Sequence, residues 1–378
     1  MADAEAVNAV AAGSIEAING VAKASIQAIN GAGLPAAGAS LWCIVGADGA
    51  VATAAGSDLN DWTGYVAAQM GSPASQDWNE IAYGEDGSGG PMWVAVNSNN
   101  LRDIRWNADP TAGIDSWGNK NPTNTMLGVT WSDGVWLAVG ANGAMWRSTT
   151  GSGSWTEIDL SGVTDWASAN IYEVIGNGAG SFMFAQGMNV FLSTDAGETF
   201  APVVDFTDAA FAEGGSNLTG YTAYTMAYTA GRWSVFLQKS GQTRLFHAAA
   251  ADTSTWTVAQ DASGAVTGTD LLPSLTNTRM AAAGGTVVIV CGNDVTRSTD
   301  GGQNFTRANN SLPRLDARDI ATDGQENWVV VHDSGRVSVS TDDGVNWTEQ
   351  SGGQLTFPSS GANIENLDAV AASVTLPL

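Results

Sequence analysis

The sequence predicts an all-β protein, a seven-bladed β-propeller of four-stranded blades closed by the C-terminal strand and preceded by a short helical or irregular N-terminal anchor. Glycine (46 residues) and tryptophan (15) are abundant, while charged residues make up 14% of the chain, a composition typical of many short strands joined by tight turns. A unit of strands and turns recurs along most of the sequence. The pattern Ser-x-Asp-x-Gly-x-x-aromatic ends three copies of it, at 193–200, 298–305 and 340–347.

The clearest copy of the unit covers residues 127–158. It reads LGVTW, the turn Ser132-Asp133-Gly134, VWLAVG, the turn Ala141-Asn142-Gly143, AMWRS and WTEI, which predicts four strands. Asp-Gly and Asn-Gly suit tight hairpins because these residues tolerate positive φ. The same order recurs at 171–200, 224–256, 280–305 and 318–347, and more loosely between 78 and 117. Aromatic residues close the copies at intervals of 38 to 56 residues, the period of four-stranded blades: Trp62, Trp117, Trp155, Phe200, Trp256, Phe305 and Trp347.

The first copy of the unit lacks its first strand, and the end of the chain supplies a candidate for it. LWCIVGADGAVATAAGSDLNDW begins at residue 41 with what the other copies use as their second strand. The segment 363–376 (NIENLDAVAASVTL) resembles a first strand without a blade. We expect it to pair beside residues 41–46 and close the ring, which removes exposed strand edges. The domains are then an anchor at 1–33, a linker at 34–40 and a propeller at 41–378; six or eight blades remain open because the second copy matches poorly.

The charge balance and the cysteines exclude several classes of function. The formal net charge of −24 disfavours nucleic acid and anionic membranes as partners. No stretch approaches 18 consecutive apolar residues, and the N-terminus lacks the features of a secretory signal. Cys43 and Cys291 lie in the apolar runs LWCIV and VVIVC, which predicts buried free thiols. With His247 and His332 as the only histidines, we expect no metal site and no cofactor.

The three Ser-x-Asp-x-Gly segments resemble Asp-box repeats, also called BNR repeats. Each aspartate is placed to accept backbone N–H bonds within its own turn, each glycine supplies backbone freedom, and each aromatic side chain is expected to wedge between blades. Residues 148–155 resemble a decayed copy with Thr150 in place of the aspartate. The predicted architectural residues are Ser193, Asp195, Gly197, Phe200, Ser298, Asp300, Gly302, Phe305, Ser340, Asp342, Gly344 and Trp347.

Asp-box repeats occur in sialidases. A resemblance to that family implies three arginines that clamp a carboxylate, a Tyr–Glu nucleophile pair and an aspartate that acts as the acid. The family's Arg-Ile-Pro-like motif is missing, and the first arginine, Arg102, falls in the second blade. Tyr172 and Glu173 are adjacent, so on a strand they would point to opposite faces. The sequence therefore predicts no catalytic residue.

Another Asp-box propeller, a photosystem assembly factor, would bring a basic patch and a targeting signal, and neither is visible here.

The first 33 residues contain a repeat of a different kind. SIEAINGVAKA (14–24) is followed by SIQAING (25–31), with a period of 11 residues, which corresponds to three helical turns. Asn-Gly at 19–20 and 30–31 favours breaks, giving short helices that end at glycine. The apolar positions predicted to anchor this segment are Val7, Val10, Ile15, Ile18, Val21, Ile26 and Ile29. A flexible tail is the alternative interpretation.

The same run resembles repeats that open structural proteins of marine tailed phages. That resemblance implies a virion protein, assembled in the host cytoplasm and present in multiple copies, whose residues 1–33 bind other virion proteins. The predicted function is a decoration, neck or tail-associated protein that presents its propeller to a host-surface receptor or glycan. A sialidase-like glycoside hydrolase, a carbohydrate-binding propeller and a cellular scaffold are the alternatives.

The predicted ligand face is the one opposite the Asp-box segments. It carries the turns between second and third strands and the links between blades, of which the longest are 205–220 and 260–276. Exposed aromatic and arginine side chains on those links are candidate glycan or protein contacts, with ordinary loop packing as the alternative. These candidates are Arg102, Trp166, Phe211 and Arg314.

Overall fold

A computed structural model provides the fold. It describes residues 40–55, 59, 61–66, 78–97, 103–112, 117–208, 211, 218, 220–239, 242–261, 278–307, 312–333, 335–350, 355 and 367–373, and the backbone at 17–18, 21–22, 28–29 and 32–33. Almost all regular structure in these residues is β, with short 3-10 turns at Ala47–Gly49, Pro110–Ala112 and Ala141–Gly143. Within the described ranges, no helix is both long and apolar enough to cross a membrane.

The N-terminal repeat forms two small strand pairs. β1 (Ala17–Ile18) pairs antiparallel with β2 (Val21–Ala22), and β3 (Ala28–Ile29) pairs in the same way with β4 (Ala32–Gly33). An Asn-Gly dipeptide separates the strands of each pair in the sequence, and this dipeptide favours two-residue hairpins. The prediction of short helices is therefore wrong at these residues. The anchor positions Val7, Val10, Ile15 and Ile26 lie outside the described residues, as do the side chains of Ile18, Val21 and Ile29.

Seven antiparallel blades follow, as predicted. Blade 1 contains β5 (Leu41–Gly46), β6 (Ala50–Ala55) and β7 (Thr63–Val66). Blade 2 contains β8 (Trp78–Glu85), β9 (Pro91–Asn97), β10 (Ile104–Asn107) and β11 (Gly118–Lys120). Blade 3 contains β12 (Met126–Ser132), β13 (Val135–Gly140), β14 (Met145–Ser148) and β15 (Thr156–Glu157). Blade 4 contains β16 (Val174–Gly176), β17 (Phe182–Gln186), β18 (Asn189–Ser193) and β19 (Ala201–Asp205).

The remaining blades repeat this order. Blade 5 contains β20 (Thr222–Thr229), β21 (Arg232–Lys239), β22 (Gln242–Ala249) and β23 (Asp252–Val258). A short β24 (Gln260–Asp261) adds parallel to the outer edge of blade 6, which contains β25 (Arg279–Ala283), β26 (Thr286–Cys291), β27 (Asp294–Ser298) and β28 (Asn304–Arg307). Blade 7 contains β29 (Ala317–Thr322), β30 (Trp328–His332), β31 (Arg336–Ser340) and β32 (Thr348–Glu349).

The C-terminal strand closes the ring. β33 (Leu367–Ala372) pairs antiparallel with β5, with Val370 opposite Ile44, and becomes the first strand of blade 1. The end of this pair is fixed by two hydrogen bonds, from the Leu41 amide to Ser373 Oγ (2.6 Å) and from the Ser373 amide to the Leu41 carbonyl (2.7 Å). The predicted pairing beside residues 41–46 is confirmed.

The apolar core lies between the blades. Facing sheets of neighbouring blades form separate clusters; one joins Val288 and Val290 of blade 6 to Trp328 and Val330 of blade 7. Six tryptophans on the first or second strands are completely buried: Trp42, Trp78, Trp93, Trp136, Trp233 and Trp328. Each first strand also contacts the first strand of the next blade around the ring. The first strands therefore surround the central channel, and the residues at their beginnings share one level of it.

Candidate functional site

The three Ser-x-Asp-x-Gly segments form closed hydrogen-bonded turns, which we call the Ser-x-Asp turns. In the second one, Ser298 Oγ donates to Asp300 Oδ1 (2.7 Å) and accepts the Gly302 amide (3.0 Å). Asp300 also accepts the Asn304 amide (2.9 Å) and its side-chain nitrogen (2.7 Å). The turns at 193–200 and 340–347 repeat the network, with Thr199 and Asn346 as the donors. The serine and aspartate side chains of each turn are thus bonded within that turn.

The turns also join each blade to the one before it. Gly302 has a φ of +84°, and a Cβ at this position would lie 2.3 Å from Ser234 Oγ of blade 5. Phe305 is completely buried and belongs to the cluster between blades 5 and 6. Phe200 and Trp347 are buried in the corresponding positions, Phe200 with its ring edge on Phe184. Glycine and the aromatic residue are therefore required by packing between blades.

The charge state of the turns fits this structural role. Partial burial alone would raise the pKa of Asp195, but hydrogen bonds from Thr199 and Ser193 outweigh it and lower the pKa to about 2. The pKa values of Asp300 and Asp342 are also lowered, because hydrogen bonds from Asn304 and Asn346 outweigh the same effect of burial. These aspartates are ionised acceptors, and they have no free proton for catalysis near neutral pH.

The arginines do not converge in the residues that the structure describes. Arg147 of blade 3 donates from Nε to the Ala196 carbonyl of blade 4 (2.9 Å), and Arg297 of blade 6 donates to the Asp343 carbonyl of blade 7 (2.7 Å). Both therefore bind the Ser-x-Asp turn of the following blade. Arg105, Arg307, Arg318 and Arg336 form ion pairs with carboxylates of their own blades. A three-arginine clamp is not present among these residues.

The residues predicted for the ligand face have different surroundings where the structure describes them. Trp166 is half-buried in the link after blade 3, where its ring contacts Gly143. Phe211 packs edge-on against Phe206 and Phe246, with centroids 5.2 and 5.6 Å away. Arg314 is exposed and bound to Glu349 through Nε (2.9 Å). Arg102 lies outside the described residues.

A group of polar side chains meets instead at the beginning of the first strands. In these strands Ile81, Val174, Met280 and Ile320 occupy equivalent buried positions. The residue just before each of them faces the channel: Glu80, Glu173, Arg279 and Asp319. Four blades therefore contribute charged groups to a single level of the channel, which we call the channel cluster.

Two carboxylates of the channel cluster, Glu173 and Asp319, bind amides of the next blade. First strands have no partner strand on their channel side, so their amides there need other acceptors. Glu173 Oε2 accepts the Met226 amide (2.6 Å), and Asp319 Oδ2 accepts the Val370 amide (2.9 Å). Asp368 Oδ2 accepts the Trp78 amide in the same way (3.2 Å). These carboxylates therefore help to hold neighbouring blades together.

Desolvation raises the pKa values of the channel cluster. Burial raises the pKa of Glu173 to about 8, although Arg279 and the amide of Met226 lower it. Burial also raises the pKa of Asp319 to about 6, against the opposing effect of Arg279. The pKa of Glu80 is raised well above its usual range by burial and by the negative charges of Asp319 and Glu173. Near neutral pH Glu173 therefore holds a proton that a free carboxylate would release.

A cavity of about 230 Å³ opens beside the channel cluster and is lined by residues from blades 2 to 6. Tyr172 and Tyr224 stand at its rim with their rings stacked, 6.0 Å between centroids and 20° between planes. Their side chains are 44% and 40% exposed. Among the described residues, the other large apolar side chains exposed to solvent are Leu315 and Val345. Asn79 and Gln238 add amide groups to the lining.

Tyr172 and Glu173 lie just before a strand. The expectation of opposite faces applies to residues within a strand, whereas β16 begins only at Val174, so both residues precede it, and both line the cavity. The described residues contain no group of three or more His, Cys, Asp or Glu side chains suited to holding a metal ion. An open cavity with an aromatic rim and charged walls is suited to binding a small polar molecule.

Comparison with known proteins supports the fold. No protein-family model and no curated protein matches the sequence. Among solved structures, YCF48 from Cyanidioschyzon merolae aligns with a TM-score of 0.54 at 12% identity, over 78% of this chain and 89% of that one. YCF48 bound to a D1 peptide gives 0.49 at 11% identity, over 74% and 84% of the two chains. The computationally designed Ika8 protein gives 0.49 at 10% identity, over 87% and 86%. At these identities the likeness concerns the β-propeller fold alone.

Proposed function

We propose that this chain is an Asp-box propeller and a structural protein of a phage virion, which binds a host-surface glycan at the mouth of its channel. The observation that supports binding best is the stacked pair Tyr172 and Tyr224, exposed at the rim of a polar cavity. Sugar rings place their C–H faces on aromatic rings and their hydroxyl groups on carboxylates and amides. Glu80, Glu173, Asn79 and Gln238 supply such groups inside the rim.

A binding role is favoured over catalysis by how the charged groups are used. Glu173 and Asp319 already accept amides of neighbouring blades, so their positions serve the ring itself. Arg279 is the guanidinium that lines the cavity, while Arg147 and Arg297 are occupied at the Ser-x-Asp turns. A sialidase-type clamp on a carboxylate needs three such groups.

The virion location is supported by the N-terminal repeat. Residues 14–31 resemble repeats at the start of structural proteins of marine tailed phages, and they precede the ring. We propose that residues 1–33 bind other virion proteins, that several copies decorate one particle, and that assembly takes place in the host cytoplasm.

Replacing the rim tyrosines tests the binding site. We expect Tyr172→Ala combined with Tyr224→Ala to weaken binding to an array of bacterial surface glycans at least about tenfold, because the stacking surface is removed. Val345→Ala is the matched control, since Val345 is also an exposed apolar residue but lies in a Ser-x-Asp turn on the opposite face. Equal binding by both variants would place the ligand elsewhere.

Deleting residues 1–33 tests the attachment. We expect a folded, monomeric propeller that fails to join the particle, because the ring is closed by its own strands. Incorporation would be measured by mass spectrometry of purified particles against the full-length chain. Incorporation of the truncated chain at normal occupancy would exclude the N-terminal segment as the anchor.

Glycoside hydrolysis is a second candidate, and one observation favours it. Tyr172, Glu173 and Glu80 line the same cavity, and the raised pKa values of both glutamates suit a general acid. Release of sugar from a glycan that the array identifies, abolished by Glu80→Gln, would establish hydrolysis over simple binding.

A further inference from the structure

We propose that the cavity beside the channel cluster selects an amino sugar, a saccharide that carries a free ammonium group, over neutral and anionic saccharides. The inference rests on the proposed glycan-binding function and specifies its ligand. It follows from the unequal numbers of acidic and basic side chains around the cavity and from the aromatic pair at its rim.

The charged groups around this level of the channel can be followed blade by blade. Blades 2, 4 and 7 contribute Glu80, Glu173 and Asp319, and blade 1 contributes Asp368. Blade 6 contributes Arg279, whose charge lowers the pKa values of all three carboxyl groups named first.

The remaining basic groups nearby are held by other partners. Arg318 of blade 7 is paired with Asp333, and Lys239 of blade 5 lies over the Tyr221 ring, 5.7 Å from its centroid. Blade 3 adds the uncharged side chain of Leu127 to the cavity wall. Carboxyl groups therefore outnumber the guanidinium, so a ligand cation finds a carboxyl group that can ionise and pair with it.

The energetic advantage of a cation comes from desolvation. Glu80 and Glu173 lie where water is scarce, so ionising either of them near the other carboxylates is costly. An ammonium group between them would stabilise the ionised forms, and Glu173, whose pKa is about 8, would then release its proton near neutral pH. A ligand carboxylate would add another like charge to the same walls.

The rim is also suited to a charged sugar. Stacked tyrosine faces attract cations as well as C–H groups, and the rings of Tyr172 and Tyr224 are accessible for this contact. An amino sugar presents both features on adjacent atoms, with ring C–H groups for the tyrosines and an ammonium for the glutamates. A simple metal ion would use only the second feature.

Titration calorimetry at pH 6.5 with full-length protein tests the proposal, using the tetramer of glucosamine and its fully N-acetylated counterpart. These probes differ in charge and in the acetyl groups. We expect the glucosamine tetramer to bind at least about tenfold more tightly and to release protons on binding, seen as heats that depend on the buffer. Glu80→Gln should remove most of this advantage and reduce the proton release. Tighter binding of the N-acetylated tetramer, or of sialyllactose, would overturn the proposal.

Two controls separate this result from the proposed function. Leu315→Ala removes another exposed side chain, 64% accessible and outside the cavity lining, and should leave both affinities unchanged. The thermal midpoint of each variant is measured first, and Tyr172→Leu replaces Glu80→Gln if the latter does not fold.

If neither tetramer binds while other glycans do, the amino-sugar selectivity is wrong and glycan binding stands. If no glycan binds, the proposed function itself fails.

Discussion

Removal of residues 367–378 is expected to abolish the folded ring. β33 is the first strand of blade 1, and its Leu367, Ala369 and Val370 are almost completely buried. Without it, β5 loses a whole ladder of hydrogen bonds and the cores on both sides of blade 1 open to water. We estimate a loss of about 5 kcal/mol or more, comparable with the whole net stability of a typical domain.

The measurement is soluble yield, size-exclusion profile and urea unfolding of the truncated chain. Removing only residues 374–378 is the matched control, because that chain keeps β33 and the bonds between Leu41 and Ser373. We expect the control to behave like the full chain, while the longer truncation aggregates through its exposed edge. A monomeric, cooperatively unfolding product of the longer truncation would show that ring closure is dispensable.

Replacing Arg279 by methionine is expected to destabilise the protein more strongly at pH 8.5 than at pH 6.5. Arg279 is the guanidinium that offsets Glu80, Glu173 and Asp319. Removing it leaves these carboxylates without compensation, which costs about 3 kcal/mol when they are ionised. At pH 6.5 Glu173, whose folded pKa is about 8, is largely protonated, so we expect a smaller cost of about 1 kcal/mol.

The sign of the pH dependence follows from the direction of the shifts. The folded pKa values of Glu173, about 8, and Asp319, about 6, lie above the values of unfolded carboxyl groups. The folded state therefore holds protons that the unfolded chain releases, and stability falls as pH rises towards 8. His332 acts in the opposite direction at lower pH, because burial lowers its pKa to about 4. Unfolding should accordingly be compared between pH 6.5 and 8.5 for the variant and the unmodified chain at each pH, so that the contribution of His332 is common to both.

Matched variants make this result specific. Arg314→Met removes an exposed guanidinium that pairs with Glu349 far from the channel cluster, and we expect a small cost that does not change over this range. Arg279→Lys should restore part of the stability because it keeps the positive charge. An equal cost of Arg279→Met at pH 6.5 and 8.5 would contradict the electrostatic role.

Much of the fold follows from local sequence signals. The Ser-x-Asp turns and the Asp-Gly and Asn-Gly hairpins fix the phase of the blades, and that phase reveals both the missing strand of the first copy and the spare one at 363–376. The N-terminal repeat was misinterpreted as helical because a period of 11 fits three helical turns, whereas Asn-Gly makes a hairpin locally.

The candidate site could not be found in the same way. Each blade contributes only one or two residues to it, and these are separated by the length of a whole blade in the sequence. The sequence does contain one signal for this site. When the first strands of the blades are aligned with one another, the residue before an equivalent buried apolar position is charged in four of them: Glu80, Glu173, Arg279 and Asp319. Tyr172 and Glu173 are adjacent in the sequence, but that both line the cavity depends on where β16 begins.

The position of β5 has a mechanical consequence. The chain enters the ring at Leu41, and β5 is hydrogen-bonded to β33 along one edge and to β6 along the other. Tension arriving through residue 40 would therefore load two ladders in shear at the same moment, instead of peeling one bond after another from an outer edge. A propeller pulled through its N-terminal segment would in this way bear the force at a strand with partners on both edges.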